Sequence, residues 1–153
     1  MSDEIMTAAE AAENDVIPRA RVALAEGARE ATAEGAPLPQ GVARRPQGQK
    51  SPAEWAYERV ILYIKKFEEQ LDADHEVGMG FAGSDQGALH IMGVGFFEPD
   101  IITFYGVDPA GARTQLVQHV SQLNVMLKAA PKQKETATRI GFKLVEELEK
   151  DGA

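Results

Sequence analysis

Apolar positions fall into periodic runs from Ser51 onward and are scattered before it. Tyr57, Val60, Ile61, Ile64, Phe67 and Leu71 repeat at helical spacing, which assigns Glu58, Lys65, Glu68 and Glu69 to the other faces. Ser51 can cap this helix, Pro52 suits its first position, and Glu54 stands three residues after the cap, as a capping box requires. The pattern predicts a helix end near Asp72–His75. Glu76 to Ala82 then alternates weakly through Val77, Met79 and Phe81 and reads as a first strand, with Gly83–Gly87 as the following turn.

The stretch from Ala88 to Lys132 carries the strongest strand signals. Ala88–Phe97 is rich in β-branched and aromatic residues and is interrupted by Glu98-Pro99-Asp100, where a proline suits a turn or an edge. Asp100–Tyr105 is the densest run of β-formers, and Asp108-Pro109-Ala110-Gly111 reads as a tight turn. Thr114–Leu127 fits two periods. Leu116, Val120, Leu123 and Leu127 match a helix, whereas Ser121, Leu123, Val125 and Leu127 share one strand face. The favoured reading is two strands, Thr114–His119 and Leu123–Ala129, around a bend at Val120–Gln122. Beyond Pro131, Lys132–Thr138 is polar, and Arg139–Lys143 is expected as a short extended piece passing into a helix. The fold class is therefore α+β: an amphipathic helix packed on a small antiparallel sheet or a small five-stranded barrel.

Composition sets the boundaries. All ten aromatic residues lie between Trp55 and Phe142, so the chain before Ser51 has little to build a core with. Residues 1–34 are Ala/Glu-rich with high helix propensity but a poor apolar face, interrupted at Pro18, and are expected to form a disordered arm. Residues 35–50 hold three prolines and three glycines and read as a linker containing the basic pair Arg44-Arg45. The expected organisation is residues 1–50 as arm and linker, 51–131 as an α+β domain, and 132–153 as a polar loop with a terminal strand or helix. The net charge is −8, and residues 51–131 hold eleven acids against five bases, a balance that repels phosphate backbones. Disulfides and thiol chemistry are excluded, because there is no cysteine. The acidic start, without an apolar signal segment or a membrane-length apolar run, leads us to expect a cytoplasmic protein that does not enter a membrane.

Candidate chemistry is sparse. His75, His90 and His119 show no metal-ligand spacing, and neither metal nor cofactor is expected. Gly78-Met79-Gly80 and Gly93-Val94-Gly95 lack the third glycine and the following helix of a dinucleotide loop. Ser84 and Ser121 lie in no nucleophile elbow, so catalysis is not expected. The candidate binding site is the bend, where Gln118, His119, Ser121, Gln122 and Asn124 gather five hydrogen-bonding side chains able to meet a base or peptide edge, or to satisfy the local backbone. Phe96-Phe97 and Phe104-Tyr105 are adjacent pairs, so one member of each points away from the core; Phe97 and Tyr105 are candidate subunit contacts.

The phrases SPAEWAYERV, HEVG, PDIITFYG, QLVQHVSQLNVML and RIGF, spread from Ser51 to about Phe142, resemble a bacterial family of uncharacterised proteins. That family has no assigned activity to carry over. One helix followed by five short strands also resembles an Sm-like domain, with GVGFFEPDIITFYG similar to its second and third strands. LVQHVSQLNVML is similar to the closing strands of the bacterial Sm-like RNA chaperone, which carries a Lys-His pair at the bend. Gln118-His119 stands there in this chain. The leading expectation is a non-enzymatic binding or assembly module that forms a homo-oligomer or meets a protein partner through an exposed strand edge or aromatic face. An Sm-like RNA or nucleotide binder is the alternative, disfavoured by the acidic charge. A small metal-dependent hydrolase around His90, His119 and Asp100 ranks third.

Overall fold

The computed structural model describes residues 32–43, 47–81 and 87–151. The arm up to residue 31, the Arg44-Arg45 pair and Ser84 lie outside the described residues. Helix α1, Pro52–Glu68, starts as its sequence predicts: the Ser51 hydroxyl accepts from the Glu54 amide at 3.1 Å, with Pro52 in the first turn. The Ala53 amide donates to the Pro99 carbonyl at 2.9 Å, tying the helix start to a distant turn.

Five strands follow: β1 His75–Phe81, β2 Leu89–Phe97, β3 Ile101–Val107, β4 Arg113–His119 and β5 Val125–Pro131. They form one antiparallel sheet in the order β4-β3-β2-β1-β5, curled into a half-barrel. Thr114–Leu127 is thus two strands, and a 3-10 turn at Val120–Gln122 makes the bend. Alternation decides the faces. Val77, Met79, Leu89, Ile91, Ile102 and Phe104 turn inward against Val60, Ile61 and Ile64 of α1. Each such side chain contributes about 1.5–3 kcal/mol on burial.

A second helix lies beside α1, packed against both α1 and β2. Helix α2, Ile140–Asp151, brings Leu144 and Leu148 to the core, and the helical turn Gln40–Ala43 adds Val42. The Pro/Gly-rich stretch read as a linker therefore contributes to the core. Two expectations are corrected here. Arg139–Lys143 is not extended: the helix begins at Ile140, and Phe142, which strand alternation would have turned inward with Ile140 and Leu144, is 61% exposed. Tertiary ties hold this start in place. A Cβ on Gly141 would come 2.7 Å from the Lys65 Cα, so only glycine allows the helices to approach so closely, and its amide donates to Glu68 Oε2 at 3.0 Å. The Thr138 amide reaches Glu76 Oε2 at 2.6 Å, and Arg139 donates to the carbonyls of His75 and Asp72 at 2.7 and 2.8 Å.

The second correction concerns the polar side of α1. Glu58 and Glu68, assigned by pattern to the faces away from the apolar stripe, are 4% and 5% exposed, because Lys50 and the start of α2 close over them. Glu58 accepts from Lys50 Nζ at 2.7 Å, and the same ammonium donates to the Val42 carbonyl at 2.6 Å. Arg59, beside Glu58, stacks its guanidinium 3.2 Å from the Trp55 ring centroid.

Burial raises the Glu68 carboxyl above its ordinary 4.5, partly offset by the Gly141 amide and by Arg139. The folded state holds that proton more tightly than the unfolded chain. The resulting stabilisation is complete below 4.5 and is lost as pH rises through the raised folded value. Glu68→Gln keeps an acceptor for Gly141 and removes a buried charge, so at pH 7 it should match or exceed the parent and flatten the pH profile. Glu68→Leu should lose about 1–3 kcal/mol by stranding the amide. Urea denaturation at pH 5 and pH 7 measures both; Glu68→Gln proving the weaker of the two would refute this assignment.

Candidate functional site

The bend between β4 and β5 is built on the turn between β2 and β3. His119 ends β4 with an extended backbone (φ −71°, ψ 144°) and caps the 3-10 turn. Its Nδ1 accepts from the Ser121 amide at 3.0 Å and stands 2.8 Å from the Ser121 hydroxyl, while Gln122 Oε1 accepts from the His119 amide at 3.2 Å. Since Nδ1 accepts from an amide, the neutral ring's proton lies on Nε2, which donates to Asp100 Oδ2 at 3.0 Å. The Val120 amide donates to the Asp100 carbonyl at 2.8 Å. Turn Glu98–Asp100 therefore holds both the bend and, through Pro99, the start of α1.

Of the five bend residues predicted from sequence, His119, Ser121 and Gln122 come together as this reciprocal cap. Gln118 is opposite Ile102, on the inward face, and its Oε1 is buried without a hydrogen-bond partner. Asn124 lies elsewhere, on the wall of a recess of about 460 Å³ with Val60, Tyr63, Leu123, Val125 and Leu127. This recess runs between α1 and β5. Asp100, grouped with His119 and His90 only in the third-ranked hydrolase reading, does meet His119, whereas His90 is held by Glu76.

The three histidines are held by different carboxylates: His75 by Asp72 at 2.7 Å, His90 by Glu76 at 2.9 Å and His119 by Asp100 at 3.0 Å. The Asp100–His119–Ser121 order has the composition of an acyl-transfer triad. Its Nδ1, however, already accepts from the Ser121 amide, which leaves the ring a capping group rather than a free general base. Among the described residues no group of three or more His, Asp or Glu side chains could hold a metal ion, and no helix is long and apolar enough to cross a membrane.

The proposed contact residues lie on the outward face of the sheet. Phe97 is 76% exposed at the end of β2, opposite Ile101. Tyr105 is half-exposed: its ring lies across Gly93 and Gly95, and its hydroxyl accepts from Thr103 at 3.2 Å. The terminal strands β4 and β5 each have only one neighbour, and each turns an apolar side chain outward: Val117, 59% exposed, and Met126, 61% exposed.

Two substitutions separate capping from core roles at the bend. His119→Ala removes the cap and the Asp100 tie and should cost about 1–2 kcal/mol. Gln118→Met removes a buried, unmade acceptor and should be neutral or stabilising by about 1 kcal/mol. Thermal and urea unfolding report both, and a strongly destabilised Gln118→Met would mean that its carbonyl is engaged.

A family model described as a family of unknown function (DUF6173) matches residues 50–143. The matched span begins at Lys50, whose side chain is buried, runs through α1 and all five strands, and ends in the first turn of α2. No curated protein and no solved structure matches the chain.

Proposed function

The chain belongs to this family of unknown function, and from that footing we propose that it is a non-enzymatic assembly module that joins copies of itself through the edges of its sheet. The observation that carries the reading is that β4 and β5, seven residues each, end the same sheet with no partner on their outer sides among the described residues. An open edge presents a row of backbone donors and acceptors ready to pair with another strand. Neither edge is protected along its length. β4 contains neither lysine nor proline, and β5 has only Lys128 and the terminal Pro131. Because the two edges differ, β4 of one copy meeting β5 of the next makes a head-to-tail contact, which closes into a ring or extends as a filament. Phe97 and Tyr105, on the outward face, add apolar surface beside that contact.

A helix, five curled strands and a 3-10 turn between the last two support the Sm-like reading of the barrel. RNA or nucleotide binding at Gln118–Asn124 is the second reading, and the half-exposed His119 ring favours it. Against it, Asp100 occupies His119 Nε2, and the domain's acidic balance repels phosphate. RNA retention at low salt that is the same in His119→Ala as in the parent would remove it.

Sedimentation velocity and light scattering on the full chain at tens of micromolar test the leading reading. An oligomer is expected, and Val117→Lys should shift it toward monomer while leaving the unfolding transition intact. A parent chain that remains strictly monomeric overturns the proposal.

A further inference from the structure

We propose that the segment Arg21–Ala25, which lies outside the described residues, seats Val22 and Leu24 in the recess between α1 and β5 of its own chain. Both walls of that recess are largely apolar. Val60 and Tyr63 of α1 stand across about 460 Å³ from Leu123, Val125 and Leu127, and Asn124 is the only amide side chain lining it. Val125 and Leu127 oppose Phe81 and Met79 on the inward face of the sheet, and Leu123, Val125 and Leu127 all pack on the core while staying partly exposed. The recess is thus an unfinished margin of the core, where added apolar side chains leave water.

The described chain leads to this place. Residues 36–39 line a separate groove between α1 and α2, shared with Leu62 and Val145. Upstream of them, the 3-10 turn Ala33–Gly35 has crossed to the next face of α1, where the Tyr63 hydroxyl donates to a Glu34 carboxylate oxygen. That hydrogen bond, and then burial, push the Tyr63 phenol up to about 12, so it stays a donor across the neutral range. Tyr63 is at once the tether and a wall of the recess. Thr32, with an extended backbone (φ −114°, ψ 158°), continues away from the turn two residues from that tether.

Sequence then selects the occupant. Ala25 to Ala36 contains no apolar residue larger than alanine, so Val22 and Leu24 are the first large apolar side chains upstream of the tether. Alternate positions in an extended segment share one side, which lets both enter together. Eight residues separate Leu24 from Thr32 and can span about 26–29 Å, against about 22–24 Å for the seven residues of β5, so the segment reaches any part of the recess. A connection this short holds its end at an effective concentration on the order of millimolar, well above that of the same segment on another copy at micromolar protein. A long apolar stripe, which the arm lacks, is not needed for two anchors. Seating uses the α1-facing side chains of β5 and needs no joining of copies at its edge.

The chain has no cysteine, so Glu26→Cys in the full-length protein takes a single nitroxide. Methyl NMR should then show the Leu123, Val125 and Leu127 signals lost to paramagnetic broadening. Adding Val22→Ser/Leu24→Ser should restore those signals and shift them from their parent positions, with the thermal unfolding transition retained. Broadening that persists in the double substitution overturns the proposal, as do recess signals that the nitroxide never touches. A second sample carries the nitroxide and the isotope-labelled methyl groups on different copies. Recess signals should stay sharp there; if they broaden as strongly as in the first sample, the occupant comes from another copy and the own-chain assignment fails.

Discussion

Packing α1 on the sheet, with α2 and the stretch ending at Lys50 along its flanks, withdraws water from more than one of its faces, and most of the molecule answers that constraint. A helix covered on one side can send its carboxylates to solvent. This one turns Glu58 and Glu68 into the interior, where each needs a protein partner. Lys50 meets Glu58, and the first amides of α2 meet Glu68. Glu76 on β1 works the same way, joining His90 on one oxygen and the Thr138 amide on the other. Such buried pairs add little net stability compared with replacing both partners by apolar groups, and removing one partner alone is costly, so they tie particular segments to particular places. Here they locate the stretch ending at Lys50 and the start of α2.

A different set of ties organises the other end of the half-barrel. The turn Glu98–Asp100 accepts from the first turn of α1 and from the bend after β4, and its Asp100 side chain holds His119. The bend is consequently a structural junction, with much of its hydrogen-bonding capacity spent internally. Among the described residues, the outer rows of β4 and β5 have strand geometry and no strand beside them, as has the part of β2 beyond its short pairing with β1. That contrast favours the exposed strand edge, already the leading expectation from the sequence, over the bend.

Much of this was legible in the chain. Ser51-Pro52 with Glu54 marks the start of α1 because capping is a local interaction among residues three apart. The strands and the bend at Val120–Gln122 are legible because strand alternation and turn chemistry are also local. Harder to see was the polar face of α1: Glu58 and Glu68 look solvated until Lys50, just before the helix, and the distant start of α2 close over them. The start of α2 failed for a related reason, since Ile140, Phe142 and Leu144 suit either period, and the contact of Gly141 with α1 decides between them.

By itself, the sequence determined the capped helix, the five strands, the bend and the acidic, cysteine-free character of the domain, all of which arise from neighbours along the chain. Tertiary structure alone decided which carboxylates are buried, that Asp100 reaches His119, and that β4 and β5 are the strands left at the edges. Those outcomes depend on which distant segments meet, and periodicity along a chain carries no record of the partner that a face will find.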